Sequence, residues 1–342
     1  MKRTLIFLTI TLIFFVSCKN SNRQYYTING YAQGGTYRIT YCEKDSVGKK
    51  TMSKPQDIKA SADELLLLID NTISGYNKGS ILSKINQNIT DSLNPLFVEV
   101  FNLSTEIHKE TNGFFDISGA PLYDLWGFGF KNQSQTTNKD IEIAKSLVGL
   151  EKFSIKDNKI IKNNPAQKLN FNAIAQGYSC DLVGRMLETK GITDYLVEVG
   201  GEILCKGKNS KGKNWTIAVD TPKDGNMESG AYISGILSVS NVGIVTSGNY
   251  RKFYIKDGKK YSHTINPKTG YPVTHNLLSA TIIAKDAASA DAYATYCMVI
   301  GIEEAIKFLE SRQDLGGYLI YGEQDQMKIY FTENIKDQIK QN

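Results

Sequence analysis

Asp291 and Thr295 stand four residues apart in AASADAYATYC, residues 287–297. The small side chains favour a close-packed helix, and residues at i and i+4 share one helix face, so a carboxylate and a hydroxyl point the same way. A buried carboxylate without a partner is costly. Either Asp291 caps or pairs locally with a surface lysine, or the two oxygens face a cation. Mg²⁺ fits the second reading, because it takes oxygen ligands octahedrally and fills its remaining positions with waters and substrate phosphates.

Three further stretches carry chemistry. SHTINPKTGYP, residues 262–272, holds two prolines, a glycine and Asn266, the composition of an ordered turn, and it presents His263. On a rigid loop that histidine can act as acid or base near neutral pH, or it can simply bond a backbone carbonyl. VEVGGEI (197–203) and VTSGNYRKF (245–253) each follow a strand pattern with glycines, which suits either close approach to a phosphate or a strand-ending turn; neither is a Walker A loop or a GxGxxG fingerprint. GFFDISGAPLYDLWGFGF, residues 113–130, mixes aromatics with glycines and a proline, and reads as a loop that packs the core or lines a pocket for a planar ring. His108 reads as an ordinary surface or packing residue.

The elements that must position these residues follow from periodicity. YYTINGYAQGGTYRITY, residues 25–41, alternates around Gly34 and Gly35 and predicts a hairpin or a strand bent at glycines. Helical spacing predicts helices over 56–73, 98–111, 173–190 and 302–311, a short one after the polar loop 131–140, and the alanine-rich one. Strands are expected at YLVEVG, EILCKG, WTIAVD, YISGILSVS, VGIVTS, KFYIKD, 277–284, YLIYG and KIYF. Several strands follow one another directly, so the fold class is mixed α+β rather than a doubly wound parallel sheet.

A chain of 342 residues with 41% hydrophobic and 22% charged residues is an ordinary globular protein. Its formal charge of +5 falls to +3 without Lys2 and Arg3, and no basic run marks nucleic-acid binding. MKRTLIFLTITLIFFVSCKN begins the chain with a basic start, an apolar run and a cysteine. The run is short for a membrane span and fits a secretory signal over residues 1–17. FVSC has the form of a lipobox, with Cys18 as the lipidated mature N-terminus and residues 18–25 as a tether; a plain signal with an incidental cysteine is the alternative. Cys42, Cys180, Cys205 and Cys297 lack metal spacing and read as buried thiols, with a disulfide left open.

In their order along one chain, GGTY (34–37), SGYNKGSILSKIN (74–86), FFDISGAPLYDLWGFG (114–129), LNFNAIAQGYSCD (169–181), YLVEVGGEI (195–203), TSGNYRKF (246–253), YSHTINPKTGYP (261–272) and ASADAYAT (288–295) resemble the ApbE-type FAD:protein FMN transferases. The resemblance spans residues 26–331 and leaves 332–342 as a C-terminal tail. It implies a two-lobed, T-shaped α+β fold with FAD in the cleft between lobes, and an extracytoplasmic, often lipid-anchored, Mg²⁺-dependent enzyme. Such an enzyme takes FAD as substrate, joins FMN to a threonine hydroxyl of an acceptor protein and releases AMP. It further implies Asp291, Thr295 and the Ala173 carbonyl as metal ligands, and Gly34, Tyr76, Phe114, Phe115, Asp116, Asn170, Gln176 and Ile265 as FAD contacts, Tyr76 stacking on the isoalloxazine. Asn170 stands where many relatives have Asp, and Ala294 where some carry another acid. His263 matches a family histidine near the reacting phosphate, so that His263 and Asp291 are the expected catalytic pair. Two other activities fit the same residues: a pyrophosphatase that splits FAD into FMN and AMP, and a flavin-binding lipoprotein without chemistry.

Overall fold

The computed structural model describes residues 23–43, 53–129, 136–223, 230–250, 253–256, 259–324 and 326–340. The expected signal segment and Cys18 lie outside the described residues. The chain runs β1 (Tyr25–Ala32), β2 (Gly35–Cys42), α1 (Pro55–Ile73), α2 (Ile81–Asn86), α3 (Pro95–Glu110), α4 (Ala120–Leu125), α5 (Asn138–Leu147), β3 (Phe153–Lys156), β4 (Lys159–Lys162) and α6 (Ala175–Thr189). It continues β5 (Tyr195–Val199), β6 (Glu202–Lys206), β7 (Trp215–Asp220), β8 (Ile233–Val239), β9 (Val242–Gly248), β10 (Phe253–Lys256), β11 (Lys259–Ser262), β12 (Leu277–Ala284), α7 (Ala287–Ile300), α8 (Ile302–Glu310), β13 (Gly316–Glu323), β14 (Gln326–Phe331) and β15 (Ile339–Lys340).

Eight strands form one sheet in the order β1-β2-β5-β6-β9-β12-β13-β14, and each neighbouring pair is antiparallel. Alternation along the strands assigns the faces. Val197 and Val199 of β5, Val245 of β9, Ala280 and Ile282 of β12 and Leu319 of β13 point into the main core with α1, α6, α7 and α8. Ile244, Ile283, Tyr318 and Ile320 point the other way, onto Trp215, Ile217 and Leu237 of the small β15-β8-β7 sheet. A third cluster joins Leu122 and Trp126 to Ile141, Ala144 and Ile265. The mixed α+β expectation therefore holds, as a central sheet with helices on one face and a smaller sheet on the other.

Three boundaries differ from the sequence reading. The ordered fold begins before the expected tether ends, because Tyr25 already pairs with Cys42 and Arg23 donates to Asp194 at 3.2 Å. The expected C-terminal tail is part of the fold: Ile335 is buried and Ile339 pairs with Leu237. Within the aromatic stretch 113–130, α4 forms where a loop was expected, with Pro121 in its first turn, a place where the missing amide costs nothing.

α7 is buried along most of its length, from Ala287 to Val299. A helix so enclosed needs small residues where other backbones press on it. A Cβ on Gly177 would lie 2.2 Å from the Ala287 carbonyl oxygen, and one on Gly243 would lie 2.3 Å from the Ala287 nitrogen; both contacts are with backbone, which cannot give way. On the far side Tyr293 donates to Glu110 of α3, and Arg312 donates to the same carboxylate at 2.9 Å. The hydrogen bond from Tyr293, followed by that from Arg312, holds the Glu110 carboxyl below its ordinary value of 4.5. A depressed carboxyl stabilises the fold above that ordinary value, and the contribution is lost as pH falls through the folded value. Glu110→Gln should therefore cost up to about 1 kcal/mol at neutral pH, the ceiling for so exposed a pair, and the gap to the parent should narrow as pH falls below 4.5, read from urea midpoints at neutral and acidic pH.

Candidate active site

The N-termini of α6 and α7 meet in the main core, and each is capped by an acid from the other helix. Asp291 of α7 accepts from the Gly177 amide at 3.2 Å through Oδ2. Asp181 of α6 accepts from the Ala287 and Ala288 amides at 2.8 and 2.9 Å through its two oxygens. Gly177 occupies the third position of α6, where an amide lacks a partner in its own helix. That amide turns to Asp291, and the Ala173 carbonyl stands just ahead of the helix, two residues before its first residue. Ile174, at the cap position, has no side chain that could do the work of Asp291.

Asp291 is only 5% exposed. Burial first, then the Glu202 carboxylate, pushes its carboxyl well above the usual carboxylate range; Asp181 adds to that and the Gly177 amide opposes it. The site is short of positive charge. A divalent cation would supply it, and the donors fit: Asp291 offers a carboxylate, half-buried Thr295 a hydroxyl on the same helix face, and Ala173 a carbonyl. No group of three or more His, Cys, Asp or Glu side chains able to hold a metal occurs among the described residues. Such a sparse oxygen set suits Mg²⁺, which leaves several positions to water and phosphate. Ala294 is wholly buried and contributes no ligand.

A second group of predicted residues forms a linked frame. Asn170 donates its amide to the Ile117 carbonyl at 2.7 Å, and its Oδ1 accepts from the Asn172 amide at 2.8 Å. Asn172 Nδ2 donates to the Tyr76 hydroxyl at 3.2 Å. Tyr76 itself is 63% exposed, on a loop fixed by Asn77 Nδ2 donating to Asp70 at 2.7 Å and by Ser80 Oγ donating to the Ser74 carbonyl at 2.6 Å. An aromatic ring held out on a fixed loop is suited to stacking on a planar ring. Asp116 Oδ1 accepts from the amide and hydroxyl of Ser118 at 2.7 and 2.6 Å, so its side chain is engaged within the protein. Phe115 is 2% exposed; any contact it makes with a ligand is through its backbone.

The 262–272 turn packs on the aromatic stretch. Trp126 Nε1 donates to the Gly270 carbonyl at 2.8 Å, the His263 and Phe128 rings lie 6.4 Å apart edge to face, and Lys268 Nζ sits 4.4 Å over the Phe114 ring. Phe114 also approaches Tyr296, the neighbour of Thr295, at 6.5 Å. The turn, the aromatic stretch and α7 are thus one contiguous surface. Ile265 is 1% exposed in the third cluster and pairs through its backbone with Pro272, which limits it to backbone contacts. Gly34 closes the β1–β2 hairpin with φ +77° and open space above it, while Gln176 crosses Gly200, with φ +66°, in the VGGE turn.

The family model for the ApbE family matches residues 33–319. The chain belongs to the ApbE family. It is 32% identical to the FAD:protein FMN transferase of Haemophilus influenzae over 86% of both chains, and 31% identical to that of Escherichia coli K12 over 97% of this chain and 96% of that one. In three dimensions it superposes on the flavin transferase ApbE from Vibrio cholerae with a TM-score of 0.80 at 29% identity, covering 92% of this chain and 99% of that one. The apo Pseudomonas stutzeri flavinyl transferase ApbE gives 0.81 at 27% identity, covering 92% and 97%.

Two participants went unread in the sequence. His108, taken for a packing residue, makes a 3.0 Å hydrogen bond through Nδ1 with the Phe115 carbonyl and lies 3.6 Å from Asp116 Oδ2, tying α3 to the aromatic stretch. Asp181 is the other, and its partners lie 106 residues away. Neither contact has a local sequence signal. The charge imbalance at Asp291 makes one expectation direct. Asp291→Asn keeps an acceptor for the Gly177 amide and removes a costly buried charge, so in metal-free solution at pH 8 its thermal midpoint should equal or exceed the parent's, while Mg²⁺-induced stabilisation is lost.

Proposed function

We propose that the protein is a Mg²⁺-dependent enzyme that transfers the FMN half of FAD to a threonine hydroxyl of an acceptor protein, leaving FMN joined by a phosphoester bond and releasing AMP. The observation that carries this reading is Asp291: a buried acid opposed by Glu202 and Asp181, supported by one amide, with a hydroxyl one turn along the same face. The relatives named FAD:protein FMN transferase supply the reaction class. A cation held by Asp291, Thr295 and the Ala173 carbonyl would neutralise charge on the FAD pyrophosphate.

The chain's own residues supply the rest. Tyr76 stacks on the isoalloxazine, and the frame of Asn170, Asn172 and Asp116 holds that ring's surroundings. His263 accepts the threonine proton as the threonine oxygen attacks the phosphorus of the FMN half; the bond from that phosphorus to the oxygen bridging to AMP breaks, and AMP leaves. Cys18 is the lipidation point that anchors the mature protein on the outer side of a membrane, consistent with the signal-like residues 1–17. No helix among the described residues is long and apolar enough to cross a membrane. The resemblance to the ApbE family implies an acceptor that carries its threonine in a short Asp-Gly-Ala-Thr-like motif.

Incubating the protein with FAD, Mg²⁺ and such an acceptor should give flavin fluorescence on the acceptor band, abolished by a chelator. Free FMN without labelled acceptor would instead assign an FAD pyrophosphatase, and intact FAD a non-catalytic binder. His263→Ala should keep FAD affinity and slow transfer by a factor of about 10² to 10⁴, the usual worth of a general base; a full-rate mutant removes His263 from the chemistry.

A further inference from the structure

α7 begins with three amides that its own ladder leaves unpaired. Asp286 takes the third, at Ser289, through Oδ1 at 2.7 Å. The first two go to Asp181, which reaches across from α6. The same segment of α6 provides the Ala173 carbonyl just before it and the Gly177 amide that holds Asp291. The two carboxylates and three amides form a closed clasp between the helices, and the clasp fixes them in one frame. The segment just before one helix carries the carbonyl, and the other helix carries the carboxylate and hydroxyl.

We propose that Asp181 is a positioning residue for the reaction: by fixing the first turn of α7 against α6 it sets where Asp291 and Thr295 present their oxygens relative to the Ala173 carbonyl. The inference rests on the metal-dependent reading given above. Geometry makes the demand severe. A rotation of α7 by about 20° about its axis would carry a side-chain oxygen at a radius of about 5 Å through nearly 2 Å. Mg²⁺ tolerates only small departures from an octahedron of about 2.1 Å, and ligand distances in working sites hold to about 0.2 Å. The glycines at 177 and 243 bring backbones against the start of α7 and limit how far it can move, but only the Asp181 oxygens bond directionally to its first two amides.

Asp181→Asn keeps the size of the side chain and one acceptor oxygen but turns an amide NH₂ toward a backbone N–H, so one bond of the clasp is lost without a cavity. The matched control is Asp194→Asn, a carboxylate that also accepts from a backbone amide, that of Lys208 at 2.6 Å, and does so beyond the end of β6 without bonding to α7. In the metal-free full chain, the Ala287 and Ala288 amides should exchange hydrogen about tenfold faster in Asp181→Asn than in the parent. Mn²⁺ affinity in the presence of FAD, followed by electron paramagnetic resonance, should fall by about tenfold or more, as loss of a residue that orients metal ligands does elsewhere. FAD affinity without metal should stay within about twofold, and high Mg²⁺ should restore most of the transfer rate. Asp194→Asn should show none of these changes. Parent-like exchange and Mn²⁺ affinity in Asp181→Asn, or equal losses in both variants, would overturn the assignment. A parent enzyme indifferent to divalent cations would overturn the functional reading, and this inference with it.

Discussion

Two helix N-termini buried side by side, each satisfied by an acid from the other, form the constraint on which the rest of the site depends. Each terminus carries unpaired amides and the positive end of a helix dipole. Burying two such ends together without acceptors would be costly. Asp181 and Asp291 resolve this reciprocally, with bonds of 2.8 to 3.2 Å. The resolution is incomplete in charge: Glu202 and Asp286 also bear on the pair. Burial first, with Asp286 next, raises the Asp181 carboxyl to about 7. The fold has therefore gathered more acidic groups than its helix ends offset, and under the proposed function a cation between them and the FAD pyrophosphate would supply the missing charge.

The surrounding structure can be understood as support for α7. One side lies on β9 and β12, one on α6, and its far side is held at Tyr293 by Glu110 and Arg312. From the solvent side, Phe114 connects Tyr296 to Lys268 and so joins the helix to the turn that carries His263. This explains a division of labour between rigid and accessible parts. The residues expected to touch the phosphates sit on elements buried on several sides, whereas Tyr76 projects from a loop by more than half its surface. Under the proposed function, precision would be concentrated where bonds break, and access where a flat ring enters.

Periodicity was a good guide to elements that obey one rule along their whole length. Residues 277–284 alternate between two apolar faces and form β12 with the expected bounds, and α1 follows its helical spacing from Pro55 to Ile73. The spacing of Asp291 and Thr295 likewise placed both oxygens on one face, as a helix must. What was not legible depends on distant partners. α4 is six residues long and owes its order to the Trp126 bond with Gly270, 144 residues later. The last strand is two residues long and exists only because β8 has an edge to offer. Asp181 looks like any acid on a helix until its oxygens are seen on amides of α7. Phe115 and Ile265 lie in the motifs as expected, but their side chains serve the core. A motif marks where a chain passes a ligand; it does not say whether side chain or backbone faces it.

For the proposed metal site, the preference for Mg²⁺ would also follow from what the site omits. Cys180 and Cys297 lie close in sequence to the proposed ligands and would attract softer metals as thiolates. Both are buried. Cys180 donates to the Glu202 carbonyl at 3.2 Å, and burial, with Asp181 and Glu202 next, pushes its thiol well above the ordinary value. Cys297 is two residues from Thr295, hence about 200° around the helix from it, and burial raises its thiol to about 12. Neither offers a thiolate near neutral pH, and both remain free thiols, as do Cys42 and Cys205. The three histidines give no competing nitrogen cluster among the described residues. An acid, a hydroxyl and a carbonyl then remain, all hard oxygens on two helices held in fixed register, and their affinity for any cation is modest until phosphate oxygens complete the shell. Under the proposed function such a site would bind metal well only together with its substrate, tying the cation's arrival to the presence of the bond that is to be broken.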